Sequence, residues 1–372
     1  MTLAPVHIEN DRPSRIGWRL PPFYCPFPRD LRHPEAEEIE ARCVKWLDAY
    51  GIYSDATERA WGLATRAADL AARTVPFGEP EALVLYAEWL YWAFAADDWH
   101  DSAAPSAGAA AAIAEHGARL ARTVEAPGSA LLPPGPRTEA LEDLAGRTRA
   151  MLTPVQLHRF THGIREWTSG AAWETANAAR GVMPSLDQFA AARLCSLGTR
   201  FLLSWCDVAN GIDVPADVLY SAPVRALTEA AGFVVSCDND VFSYNKDDHL
   251  VPWEQNVVNV LAGQRGRTPA EALPAVSALR DRTMVLFVRL RDQLARRGDD
   301  QLRRHLVAVE HWIAGNIAYQ SRAPRYASPR NRNSLPVEGS SYDISYADAP
   351  CDPSTEPPPV PALAWWWQQL DA

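Results

Sequence analysis

From Glu35 onward the chain reads at the helical period almost without interruption, which excludes most architectures at once. Apolar residues recur three and four positions apart, alanine is abundant, and alternating β-branched runs are few, so a sheet has little to build from. EAEEIEARCVKWLDAYG opens the series as a first helix, with acidic residues early, Lys45 later and Gly51 just past its end. Comparable stretches follow, among them SDATERAWGLATRAADLAART, PEALVLYAEWLYWAFAADD, SLDQFAAARLCSLGTRFLLSWCDV and APVRALTEAAGFVVSCDNDVFSYNKDD. Breaks fall at Pro/Gly clusters such as EAPGSALLPPGPR, and no internal repeat is visible. The expectation is an all-α bundle of about ten helices. Residues 1–34 read as an irregular arm, because PPFYCPFPRDLRHP holds too much proline for a helix. Residues 327–372 read as a proline-rich tail or flap whose end, WWWQQL, is apolar enough to dock.

Charge and length narrow the function. The 372 residues carry 36 basic and 46 acidic side chains, a net charge of −10. That balance disfavours a general binder of nucleic acid or anionic membrane. No run approaches the 18 apolar residues of a membrane span, and the first 20 residues lack the apolar stretch of a secretory signal. Six scattered cysteines without a CxxC suggest neither a zinc site nor a disulfide framework, and fit a cytoplasmic protein. The 14 tryptophans suit either a large core or an aromatic-lined pocket for a greasy or cationic ligand.

Two constellations carry chemistry. PEALVLYAEWLYWAFAADDWHD ends in Asp97, Asp98 and Asp101. A helix puts Asp97 and Asp101 on one face, where they repel each other and oppose the helix dipole. Divalent metal ions offset that repulsion, and hard carboxylate oxygens suit magnesium. His100 reads as a spacer. Downstream, Asn239, Ser243 and Asp247 stand four and four apart, one stripe about 12 Å long. An amide oxygen, a hydroxyl and a carboxylate so aligned form an oxygen-donor chelate for another magnesium. Taken singly, a solvated helix end explains the first cluster equally well, and an ordinary polar helix face explains the second better than a chelate does.

Together the motifs resemble those of bacterial class I terpene synthases. DDWHD is similar to the family's DDxxD motif. NDVFSYNKD is similar to its NDxxSxxxE triad, with Asp247 where glutamate is commoner and Lys246 just before it. PPFYCPFP (21–28) resembles the family's N-terminal segment. Residues 173–198 resemble the stretch leading to its pyrophosphate-sensing arginine, here Arg193, 46 positions before Asn239. Ser196 and Leu197 then fall at the linker and effector positions, beside a helix break near Gly198. WIAGNIAYQSRAPRY (312–326) resembles the segment ending in the Arg–Tyr pair, Arg325 and Tyr326. The motifs occur in the family's order from about residue 20 to Tyr326.

The resemblance implies one catalytic domain over residues 35–326, a single helical bundle around a central active-site cavity. It implies three Mg2+ ions held with a prenyl diphosphate by Asp97, Asp101, Asn239, Ser243 and Asp247. Arg193, Arg325 and Tyr326 complete the cage, with Lys246 beside it, and Phe94 and Trp312 are the candidate aromatic faces for a carbocation. Farnesyl diphosphate (C15) is the expected substrate. Ala93, Ala95 and Ala96 crowd the run before Asp97 and favour the alternative, geranylgeranyl diphosphate (C20), if they face the cavity. A homodimer is consistent with the family. The second, Asn/Ser/Asp cluster argues against a chain-elongating prenyl diphosphate synthase. The retained ligands and sensor argue against a non-catalytic isoprenoid-binding protein, and sparse histidine clusters against a metal phosphohydrolase. No DxDD motif supports protonation-initiated cyclisation.

Overall fold

The computed structural model describes residues 19–102, 106–247, 254–328 and 335–370, without the side chains of residues 100–102, 107, 245–247 and 265. Within them lie α1 (Ala36–Tyr50), α2 (Ala56–Ala64), α3 (Ala67–Thr74), α4 (Pro80–Ser102), α5 (Ala107–Glu125), α6 (Pro136–Met151), α7 (Pro154–Arg180) and α8 (Leu186–Ser196). These are followed by α9 (Thr199–Ala209), α10 (Ala216–Leu219), α11 (Ala222–Asp247), α12 (Val257–Arg265), α13 (Pro269–Arg297), α14 (Asp300–Gln320), α15 (Pro324–Ala327) and α16 (Pro361–Trp367). Two short strands, β1 (Phe23–Tyr24) and β2 (Tyr346–Ala347), pair in parallel. Helix ends follow local chemistry. Gly51 takes a left-handed φ of 63° and returns its N–H to Leu47. Thr153, Ser185 and Thr268 each close a capping box with the residue three further on.

Sixteen helices in the described residues exceed the ten or so read from sequence, for three reasons. Short helices such as α10, α15 and α16 give too little periodicity to register. Helix α5 has no counterpart among the stretches that read as helical, although Ser106 caps it by accepting from the Ala109 N–H. Two stretches read as single helices are each broken in two. One breaks at Arg66, which adopts a left-handed φ of 49°, and the other at Gly198, with φ 75°.

Helix α4 runs through the core. Every residue from Ala82 to Trp92 is buried, as expected of a helix that is apolar on all sides. Its one buried carboxylate in that run, Glu88, is paired with Arg147 at 2.6 Å. Trp89 packs edge-on against Trp92, Phe160 and Phe201 at centroid distances of 5.0–6.0 Å, so a share of the tryptophan content builds core.

The two ends of the chain brace α11. Phe23 stacks on Phe242 at 5.0 Å, and Arg280 of α13 clamps Asp238 through two 2.9 Å bonds while donating to the Tyr24 carbonyl. From the other end, the Tyr342 hydroxyl lies 3.3 Å from the Phe242 carbonyl and 3.0 Å from that of Tyr326. Asp352 pairs with Arg282 at 2.6 Å, and α16 buries Leu363, Trp366 and Trp367 against the bundle. The Trp366 indole donates to Glu229 at 3.0 Å. Among the described residues no helix is long and apolar enough to cross a membrane.

Candidate active site

Helices α4 and α11 supply the two clusters read from sequence, and α8, α14 and α15 supply the basic groups between them. On α4, Asp97 and Asp98 are half-buried one turn past Phe94. Arg325, 1% exposed, grips Asp98 with a two-pronged bond of 2.8 and 2.7 Å and lies 3.8 Å from Asp97. Its guanidinium also sits 5.0 Å from the Phe94 ring centroid. Pro324, at the first position of α15, fixes the turn that delivers Arg325 and Tyr326 inward. Burial opposes the Arg325 charge, but Asp98 outweighs it and holds the group above its ordinary pKa.

On the opposite wall, Arg193 of α8 reaches α11. It bonds Asp240 at 2.6 and 3.1 Å, the Asn239 side-chain oxygen at 3.1 Å and the Ser196 hydroxyl at 3.2 Å. Glu174 of α7 lies 3.8 Å away. Burial is again the main opposing cause, and Asp240, then Glu174, raise the Arg193 pKa above its ordinary value. Burial pushes the Glu174 carboxyl up to about 7; Arg193 and Ser196 counteract it, and Asp97 adds to it. Asp240 also accepts the Val257 N–H at 2.7 Å. The walls meet through Asn239, whose side-chain nitrogen donates to Gln320 at 3.0 Å and lies 3.4 Å from the Tyr326 hydroxyl.

The break between α8 and α9 is wedged against its neighbours. Ser196 ends α8, Leu197 caps it, and Gly198 turns the chain in the left-handed region. A Cβ on Gly170 of α7 would meet the Ser196 backbone at 2.5 Å, and one on Gly232 of α11 would meet Thr199 at 2.6 Å. Glycine at both positions is what allows the break to seat between α7 and α11.

Arg193, Ser196, Asn239, Arg325, Tyr326, Asp97 and Phe94 are therefore brought to one region. Ser243 is buried on α11, one turn beyond Asn239. Trp312 is 1% exposed within α14. The side chains of Asp101, Lys246 and Asp247 lie outside the described residues. Sequence reasoning assigned no role to Asp98, Asp240, Glu174 or Gln320. For the first two a signal existed, since each acid sits beside an expected ligand and a buried acid needs a cation. Glu174 and Gln320 stood in the recognised segments with nothing local to mark them.

The donor set suits a hard divalent cation. Among the described residues no three His, Cys, Asp or Glu side chains converge. The donors at hand are the Asp97 carboxylate, the Asn239 amide oxygen and the Ser243 hydroxyl, all oxygens, with no thiolate or imidazole among them. A helical bundle that sets such donors beside buried arginine forks has the make-up of a metal-dependent enzyme handling a diphosphate.

Comparison with known proteins identifies the family. A model described as terpene synthase family 2, C-terminal metal binding, matches residues 88–285. Spiroviolene synthase of Streptomyces violens is 33% identical over 350 residues, 94% of this chain and 96% of that protein. Bonnadiene synthase of Allokutzneria albata is 30% identical, over 94% of this chain and 97% of its own length. The crystal structure of the SVS_A2 protein from ancestral sequence reconstruction superposes with a TM-score of 0.81 at 34% identity, over 94% of this chain and 99% of that one. The chain belongs to the bacterial class I terpene synthases, and is a lyase that cyclises a prenyl diphosphate with a divalent metal.

Proposed function

We propose that the metal is Mg2+, that three ions are held, and that Asp97 and Asp101 on one wall and Asn239, Ser243 and Asp247 on the other are their ligands. The observation that carries this reading is that each arginine between the two walls is latched to a ligand-bearing helix, Arg325 to Asp98 and Arg193 to Asp240. Both forks are thereby pre-set where a diphosphate would bridge the walls, and guanidinium groups take phosphate oxygens in pairs. When bound, the ions withdraw charge from the diphosphate and make it a better leaving group. Arg193 and Arg325 stabilise the charge that develops on it, with the Tyr326 hydroxyl beside them. As Arg193 turns to the diphosphate it leaves Ser196, so binding is relayed through Leu197 to the break at Gly198. The Phe94 face contributes about 0.5–2 kcal/mol to a nearby cation.

For substrate length we favour geranylgeranyl diphosphate. Ala93 lies one turn below Asp97 on the same face of α4, and both Ala93 and Ala96 are half-buried where Ala82–Trp92 are buried throughout. We read this partial exposure as the wall of the substrate cavity, which side chains as small as these leave deep enough for a C20 chain. The second reading, the C15 substrate expected from sequence, is supported by a (+)-T-muurolol synthase of Streptomyces clavuligerus described as farnesyl diphosphate cyclizing and 30% identical.

The test is calorimetric titration of Mg2+ into the enzyme with inorganic diphosphate, for the wild type, Asp97→Ala and Asn239→Ala. Each variant should stay folded, lose part of the Mg2+ stoichiometry, and lose turnover by about 10³-fold, equivalent to about 4 kcal/mol. Unchanged stoichiometry with normal turnover would refute the ligand assignment.

A further inference from the structure

We propose that Tyr342, in the tail beyond the recognised motifs, is a positioning residue that sets the gap between the Arg325–Tyr326 turn and the ligand-bearing helix α11. This rests on the reading of Arg325 and Tyr326 as diphosphate-binding groups.

Arg325 and Tyr326 stand on α15, a single turn of four residues with little stability of its own. Side chains on so short an element are only as well placed as its backbone. Their own contacts hold them from the site itself. Arg325 grips Asp98, and the Tyr326 hydroxyl lies 3.4 Å from the Asn239 side-chain nitrogen. To take phosphate oxygens the Arg325 fork must give up part of its bond to Asp98, so that contact cannot fix the turn throughout the reaction.

Tyr342 holds the backbone instead. Its hydroxyl donates to the Tyr326 carbonyl at 3.0 Å and lies 3.3 Å from the Phe242 carbonyl. Tyr326 follows Arg325, and Phe242 precedes Ser243. One oxygen atom thus touches the main chain of both elements, beside the arginine on one and a candidate ligand on the other. The sense of the bond is fixed, because a backbone carbonyl only accepts and the hydroxyl carries the proton.

The hydroxyl is itself placed from outside α15. The Tyr342 N–H donates to the Ser321 carbonyl at 2.8 Å, at the end of α14. Its ring packs on that of Phe242 at 5.8 Å, and Phe242 is stacked on Phe23 at 5.0 Å. Three residues on, the Ser345 carbonyl accepts the Phe23 N–H at 2.9 Å, and Arg29 lies 4.4 Å over the Tyr346 ring. Tyr342 is anchored on α14, α11 and the N-terminal arm, and the turn is referred to that frame.

The experiment uses the full-length enzyme and reads the affinity for inorganic diphosphate at saturating Mg2+ by calorimetry, with thermal melts alongside. Tyr342→Phe deletes one oxygen and keeps the ring on Phe242. It should weaken diphosphate binding about tenfold, about 1.4 kcal/mol, with the melt lowered by no more than about 2 °C. The comparison is the Arg325→Gln, Tyr326→Phe double variant, which keeps a donor for Asp98 but lacks the groups that Tyr342 places. There, adding Tyr342→Phe should change diphosphate affinity less than about twofold. Wild-type affinity in Tyr342→Phe would overturn the inference. So would an equal tenfold loss in the double variant, and so would an unfolded Tyr342→Phe, since each marks the hydroxyl as part of the general packing. Wild-type diphosphate affinity in the double variant would instead overturn the reading of the Arg–Tyr pair, and this inference with it.

Discussion

Gly170→Ala adds one methyl group where there is no room for it. The new Cβ would lie 2.5 Å from the Ser196 nitrogen, 2.7 Å from its Cα and 2.8 Å from its Cβ. Ordinary contact begins near 3.4 Å, so α7 and the end of α8 must separate by about 1 Å. The obstacle is backbone, which cannot swing aside as a flexible side chain would. Overpacking of this kind costs about 1–3 kcal/mol. In a chain this size that lowers the melting temperature by about 1–4 °C. The displaced segment carries Ser196 and, one turn before it, Arg193. Misplacement of a catalytic group by about 1 Å costs about 10²-fold in rate. Turnover should thus fall about a hundredfold while the melt moves only a few degrees. Two comparisons isolate the cause. Gly146, exposed on α6 with nothing within 4 Å of a Cβ, gains helix propensity as alanine, so Gly146→Ala should be slightly more stable and fully active. Gly198→Ala meets nothing closer than 3.9 Å but keeps the left-handed φ, a backbone cost of about 1–2 kcal/mol without a clash. Steady-state turnover and thermal melts on all three variants are the assay. Gly170→Ala with a lowered melt but near-wild-type turnover would refute the claim that the seat of the break controls catalysis.

Two further outcomes follow from burial. Glu174 has a folded-state pKa near 7, above the ordinary carboxyl value, so its contribution to stability is full below about pH 4.5 and is lost as pH rises through 7. Relative to Glu174→Gln, the wild type should lose about 2–3 kcal/mol between pH 4.5 and 8, measured by urea unfolding; parallel profiles would refute this. Deleting residues 361–372 removes Leu363, Trp366 and Trp367 from the core, and by side-chain burial costs up to about 5–9 kcal/mol. That approaches the whole stability of a domain, so the truncated chain should be unfolded or melt more than about 10 °C lower; an unchanged melt would show α16 to be dispensable.

What the sequence revealed was local. The stripe Asn239, Ser243, Asp247 and the pair Asp97, Asp101 declare themselves through helical spacing, whereas the periodicity runs straight through Gly198 and only the family resemblance places a break there. Arg66 makes the same kind of turn without any such signal, and a helix was accordingly read straight through it. Contacts between distant segments were also hidden. Arg325 and Asp98 lie 227 positions apart, and nothing near either names the other. Gln320 meets Asn239, 81 positions earlier, in the same way. The tail was the hardest to read, since its proline content hides that Tyr342 and Trp366 fasten it to α11 and to Glu229.

The most direct test of the central claim is incubation of the purified enzyme with geranyl, farnesyl and geranylgeranyl diphosphate in turn, with and without Mg2+, followed by gas chromatography–mass spectrometry of the extract. The expected result is a cyclic C20 product that requires Mg2+. A Mg2+-dependent C15 product alone would overturn the substrate assignment, and turnover unaffected by removing Mg2+ would contradict the metal site itself.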